Sequence, residues 1–123
     1  MSDKAFNAFK HILENPGGIV DVQATGSEYY FKYKGHIFSV LKREDEEDGT
    51  VLSAFVYPNY SGSVSGLINY YDEGQPYDEI PMVRYGTDQL ENRHFGTILG
   101  KLYKIVGDKY LNLDTIFDDI VSP

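Results

Sequence analysis

Residues 28–42 read Glu-Tyr-Tyr-Phe-Lys-Tyr-Lys-Gly-His-Ile-Phe-Ser-Val-Leu-Lys. Aromatic and β-branched residues crowd both sides of Lys34-Gly35, the mark of two strands joined by a tight turn. A two-residue turn there sets Tyr33 opposite His36, Phe31 opposite Phe38 and Tyr29 opposite Val40. On the other side it sets Lys32 opposite Ile37 and Tyr30 opposite Ser39. The first set is nearly all apolar and the second is mixed, as a half-buried antiparallel hairpin requires. A one-residue slip would mix the two faces, so the alternation itself specifies the register.

Strand signals continue on both sides of this hairpin. Upstream, Ile19 to Ala24 alternates loosely and ends at Thr25-Gly26. Downstream, Asp48-Gly49 is a hairpin signal that leads into a strand from Thr50 to Tyr57, closed by Pro58-Asn59. Ser61 to Gly66 is small and polar and reads as a loop. Leu67 to Tyr71 reads as a short strand, Asp72 to Pro76 as a turn, and Ile80 to Tyr85 as a last strand. Pro81 pushes that last strand to a sheet edge or a bulge.

Helical periodicity brackets the strands. Ala5, Phe6, Phe9, Ile12 and Leu13 make one apolar stripe over Asp3–Glu14, with Ser2 as the cap, Asp3 at the favourable end of the helix dipole and Asn15-Pro16-Gly17-Gly18 as the stop. Asp88 with Glu91 can form a capping box for a long helix. Leu90, Phe95, Ile98, Leu99, Leu102, Ile105 and Val106 supply its face, and Gly107 its end. Gly96 and Gly100 lie four apart, a spacing that lets the helix lie close on a sheet or another helix. Asp114 can cap a short last helix with Leu113, Ile116, Phe117 and Ile120 on one side. Asp118 and Asp119 oppose its dipole, so this helix must dock on the body or on a partner. Strands grouped apart from helices mean an α+β fold: an N-terminal helix, an antiparallel sheet of about five strands, a long helix packed across one face and a short C-terminal helix. The 123 residues are read as one domain spanning 1–123.

Composition excludes several classes of chemistry. There is no cysteine, hence no disulfide scaffold, thiolate metal site or Cys nucleophile. Phosphate-loop, GxGxxG, HExxH and GxSxG motifs are missing. In the run Glu44-Asp45-Glu46-Glu47-Asp48-Gly49 a calcium loop would need Glu at its twelfth position, where Phe55 stands. The three histidines, His11, His36 and His94, fall in different elements, and no metal or other cofactor is expected. No apolar run reaches the ~20 residues of a membrane span. The N-terminus lacks a secretory signal's apolar core, so the expected location is cytoplasmic.

The formal net charge is −8, and its origin is local. Residues 44–80 hold nine Asp and Glu and no Lys or Arg. Both acidic clusters are expected in solvated turns. They disfavour nucleic acid, which needs Lys and Arg to replace phosphate counterions. The basic–aromatic cluster of Tyr29, Tyr30, Phe31 and Tyr33 with Lys32, Lys34 and Lys42 could stack bases, but the hairpin register spends Tyr29 and Phe31 on the core.

The same segment carries Tyr57, Tyr60, Tyr70, Tyr71 and Tyr77 among Ser, Gly and Asn, with Asp72, Glu73, Asp78 and Glu79 between them. Tyrosine offers a stiff, amphipathic contact area, and small polar neighbours offer adaptable hydrogen bonds, the composition of protein-binding loops. The leading expectation is a non-catalytic protein-binding domain, of inhibitor, immunity or accessory type, that presents this face to a basic protein partner. The reading leans against an enzyme. The alternative is a small-molecule-binding or enzymatic domain with a pocket between sheet and long helix, lined by Tyr85, His94 and Tyr103. An acidic DNA mimic ranks third, and a homo-oligomer through the last helix is open.

Overall fold

The computed structural model describes residues 3–75, 79–89 and 93–123. Helix α1 spans Asp3–Glu14, followed by a 3-10 turn at Pro16–Gly18. The strands are β1 (Ile19–Thr25), β2 (Glu28–Tyr33), β3 (His36–Asp45) and β4 (Gly49–Val56). Helix α2 (Val64–Asp72) precedes β5 (Val83–Gly86). Helices α3 (Arg93–Leu111) and α4 (Leu113–Val121) close the chain. The five strands form one antiparallel sheet in sequence order, so β1 and β5 are its edges. The fold is α+β, with the long helix α3 on the sheet.

The central hairpin has the register its alternation dictates. Tyr33 pairs with His36, Phe31 with Phe38, Tyr29 with Val40, Lys32 with Ile37 and Tyr30 with Ser39. Lys34 and Gly35 both take positive φ, 49° and 82°, as a type I′ turn demands. At the edge, β1 shifts register between Val20 and Gln23, and Asp21 there has φ 54°. Such a bulge twists an edge away from further pairing.

Helices α1 and α3 cover one face. Phe9, Phe31, Phe95, Leu99, Leu102 and Val106 are buried there in one cluster. The rings interlock edge-on, with Phe9 5.7 Å from Phe95 and 6.1 Å from Phe38. Burying each such side chain stabilises by roughly 1.5–3 kcal/mol.

The other face is not the partly solvated surface that its mixed composition suggests. Helix α2 lies on it, and Tyr30, Ile37, Tyr57, Val64, Leu67 and Ile68 form a second buried cluster. The segment 67–71, expected as a strand, belongs to this helix, and the expected loop 61–66 supplies its start. Ser63 sits at the N-cap with extended backbone, and its Oγ accepts from the Gly66 N–H at 2.9 Å. Val64, Leu67, Ile68 and Tyr71 then fall at i, i+3, i+4 and i+7, one helical stripe. Gln23 Nε2 donates to Ser65 Oγ at 2.7 Å, tying α2 to β1.

Four other boundaries differ from expectation. The last strand is shorter and later than 80–85. Asp88 lies inside a 3-10 turn, Thr87–Gln89, and does not open the long helix; its expected capping partner Glu91 lies outside the described residues, as does Ser2. Helix α3 runs past Gly107 to Leu111, because the left-handed residue that breaks it is Asn112, φ 57°. Asn112, not Asp114, holds the N-cap position of α4. The glycine that brings α3 close to the sheet is also a different one. A Cβ on Gly96 or Gly100 would meet its nearest neighbour at 3.7 Å, whereas at Gly107 it would meet the Tyr29 ring at 3.2 Å.

Candidate functional site

Helix α2 carries two of the tyrosines singled out above, Tyr70 and Tyr71, and its position decides what they and their neighbours can do. Its apolar stripe faces the sheet, so its remaining surface forms the outermost layer on that side. Tyr70 and Tyr71 occupy its last turns, half-buried, with their rings edge-on at 5.5 Å. Tyr71 packs against the second core, while Tyr70 Oη donates to Glu79 Oε2 at 2.8 Å. Asp72 and Glu73 follow at the C-terminal end of the helix and are exposed, as is Glu79. At the other end of α2, Tyr60 is half-buried, and its Oη donates to the Ser63 carbonyl at 3.1 Å. Tyr60, Tyr70, Asp72, Glu73 and Glu79 therefore offer polar or charged groups near or at the surface. Tyr77 and Asp78 lie outside the described residues.

Tyr57 is not a surface residue. Only 4% of it is exposed, because its ring stacks on Tyr30 at 6.1 Å and its backbone N–H bonds the Ile37 carbonyl. It belongs to a polar network inside the second core. Ser39 Oγ donates to Glu28 Oε2 at 2.7 Å, Tyr30 Oη donates to Glu28 Oε1 at 3.1 Å, and the Ser39 and Tyr57 hydroxyls lie 3.0 Å apart. Burial pushes the pKa of both phenols up, and for Tyr30 the neighbouring Tyr57 and Glu28 add to the rise. These hydroxyls stay protonated and act as donors. Sequence reasoning pairs Tyr30 with Ser39, but the reach of Glu28 and Tyr57 into the same pocket is a tertiary matter.

The acidic run 44–48 forms the tip of the β3–β4 hairpin. Glu44 and Asp45 prove to be strand residues, opposite Thr50 and Gly49. Thr50 Oγ1 donates to Glu44 at 2.9 Å. The Asp45 carboxylate accepts from the backbone N–H groups of Glu47 and Asp48 at 2.8 and 3.1 Å, and pairs with Arg43 at 3.0 Å. Those donors hold its pKa below the usual carboxylate range. Glu46, Glu47 and Asp48 are exposed. Asp88 ties this hairpin to β5, taking Arg84 at 2.8 Å and Arg43 at 3.5 Å. Arg84 also donates to Ser53 Oγ at 3.0 Å. The sequence assigned Asp88 to a helix cap and gave no sign of this double arginine contact.

The three residues of the alternative pocket are not brought together. Tyr85 packs edge-on against Phe9 at 5.7 Å. His94 is exposed near the start of α3. Tyr103 packs on Tyr29 at 5.1 Å and donates to the Ser27 carbonyl at 2.9 Å. The space between α3 and the sheet is filled by the first core. Tyr103 does line a shallow groove of about 400 Å³ between α3 and the β3–β4 strands, and neither Tyr85 nor His94 lines it.

Among the described residues, no group of three or more His, Asp or Glu is placed to hold a metal ion, and no helix is long and apolar enough to cross a membrane. Compared with known proteins, the chain matches no protein-family model, no curated protein and no solved structure.

Proposed function

We propose that this chain is a non-catalytic binding domain whose outer α2 surface docks on a basic patch of another protein. One arrangement carries the reading. Tyr70 is held by Glu79 beside the exposed Asp72 and Glu73, in a segment that contains no Lys or Arg between residues 44 and 80. A phenol fixed in place loses little freedom on binding, and the surrounding carboxylates attract Lys and Arg at long range. Uncompensated charge of one sign raises association rates and makes them sensitive to salt.

Two features support the domain as a rigid platform for that surface. Helix α2 is capped by Ser63 and anchored by Val64, Leu67 and Ile68. The polar network beneath it has its hydroxyls engaged. The test is capture of partners by the immobilised protein at low and high salt, in parallel with an Asp72→Lys/Glu73→Lys variant. A stoichiometric basic protein that the native chain retains at low salt, and the variant does not, is the expected result. Equal retention by both would remove this surface from consideration.

A further inference from the structure

Helix α4 is amphipathic and its apolar side lies bare. Ile116, Phe117, Ile120 and Val121 are 46%, 58%, 72% and 80% exposed. Nine residues without a side-chain cap, ending in acids that oppose the dipole, do not hold a helix in water without a surface to lie on. Two hollows of its own body flank the end of α3, one on each side. The first is lined by Asp21, Val22, Ile105, Asp108 and Lys109, together with Leu113 of α4 itself. Two acids against one base make it a poor seat for an acidic helix. The second is the groove between α3 and the β3–β4 strands. Its lining includes Leu52, Gly100, Tyr29 and Tyr103, with Lys42 on the sheet side and Lys104 and Asp108 on the helix side, so here two bases stand against one acid.

We propose that α4 of one copy of this chain docks its apolar side into the Leu52–Gly100–Tyr103 groove of a second copy, and receives that copy's α4 in return. Charge complementarity selects the groove. At about 100° per residue, Asp118 and Asp119 flank the Ile116–Phe117–Ile120–Val121 arc, one on each edge, to meet Lys42 and Lys104. Gly100 leaves room for a close approach, since nothing lies nearer than 3.7 Å to the place of its missing Cβ. Reach selects the second copy. The left-handed Asn112 sends α4 off on the side of Ile19, Val20 and Ile105, away from its own groove. A reciprocal exchange about a two-fold axis closes on itself and uses each groove once.

Sedimentation velocity on the full chain, up to high micromolar concentration, tests this with three variants. The native chain is expected to be a dimer. Ile120→Asp, at an exposed position, is expected to keep the native circular dichroism and weaken dimerisation about tenfold or more. Lys42→Glu/Lys104→Glu is expected to do the same, and adding Asp118→Lys/Asp119→Lys to it is expected to restore the dimer. The chain has no cysteine, so a Thr50→Cys copy mixed with a Val121→Cys copy is expected to give a cross-linked heterodimer with a short bismaleimide. A monomer at every concentration, as when the groove serves a small molecule, overturns the proposal. So does a dimer that Ile120→Asp leaves intact, or a cross-link that forms within one doubly substituted chain.

Discussion

Tyr70 Oη donates to Glu79 Oε2 at 2.8 Å, which clasps the last turn of α2 to the segment that leads into the final strand. The bond fixes a large ring at the edge of an acidic surface. Glu79→Ala releases that ring and removes one charge. Unfolding in urea is expected to lose about 1 kcal/mol or less, since the bond is exposed. Affinity for the captured partner is expected to fall several-fold. An unchanged affinity, measured by calorimetry, would show that Tyr70 is not part of the contact.

The Ser39–Glu28–Tyr57 network is expected to contribute measurably to stability. Tyr57→Phe removes one buried hydroxyl and is expected to cost about 1 kcal/mol. Ser39→Ala leaves the Tyr57 hydroxyl without its serine and strips a donor from Glu28, for about 1–3 kcal/mol. The two are within hydrogen-bond distance, 3.0 Å, so the double substitution should cost less than the two single ones added together. Strict additivity in chemical denaturation would mean that the hydroxyls do not interact.

The same phenols make the fold sensitive to alkali. Burial raises the pKa of Tyr30 and Tyr57 above the usual ~10. Above that pH the unfolded chain has released these protons and the folded chain keeps them. Their contribution is thus full below pH ~10 and lost as pH rises beyond it. Phenolate absorbance is expected to grow first from exposed tyrosines, and from these two only as the circular dichroism collapses. All eleven tyrosines titrating together with the fold intact would contradict the buried network.

The hairpin 28–42 was legible to the residue because alternation, a two-residue turn and an apolar face all specify one register. Helix α2 was not. Val64, Leu67, Ile68 and Tyr71 carry the helical period, but the run is short, interrupted by Gly66 and rich in strand-favouring side chains. What decides it is the apolar content of the second sheet face, Tyr30, Ile37 and Tyr57, which needs a cover. The burial of Tyr57 is hidden for the same reason, since a surface tyrosine and one beneath a helix look alike in sequence. Asp88 shows the other limit. Its arginine partners, Arg43 and Arg84, come from two strands, and no local pattern announces that meeting.

Glycines on α3 separate local preference from packing. A Cβ at Gly96 or Gly100 meets only ordinary contacts at 3.7 Å within its own chain, so Ala at either is expected to stabilise the dilute, monomeric chain by up to ~1 kcal/mol through helix propensity. At Gly107 the Tyr29 ring stands 3.2 Å away and must yield, so Gly107→Ala is expected to gain nothing or to destabilise. Thermal melts rank the three. A gain at Gly107 equal to that at Gly96 would show that Tyr29 moves freely.

The acidic surface of α2 is the central claim, and one titration tests it directly. The captured partner is titrated with the native chain and with Asp72→Lys/Glu73→Lys at two salt concentrations, with circular dichroism as the folding control. Both side chains are exposed, so the fold is expected to survive. The account predicts that native binding weakens as salt rises, and that the variant binds at least about tenfold more weakly with a flatter salt dependence. Equal affinity and equal salt dependence for the two chains would contradict it.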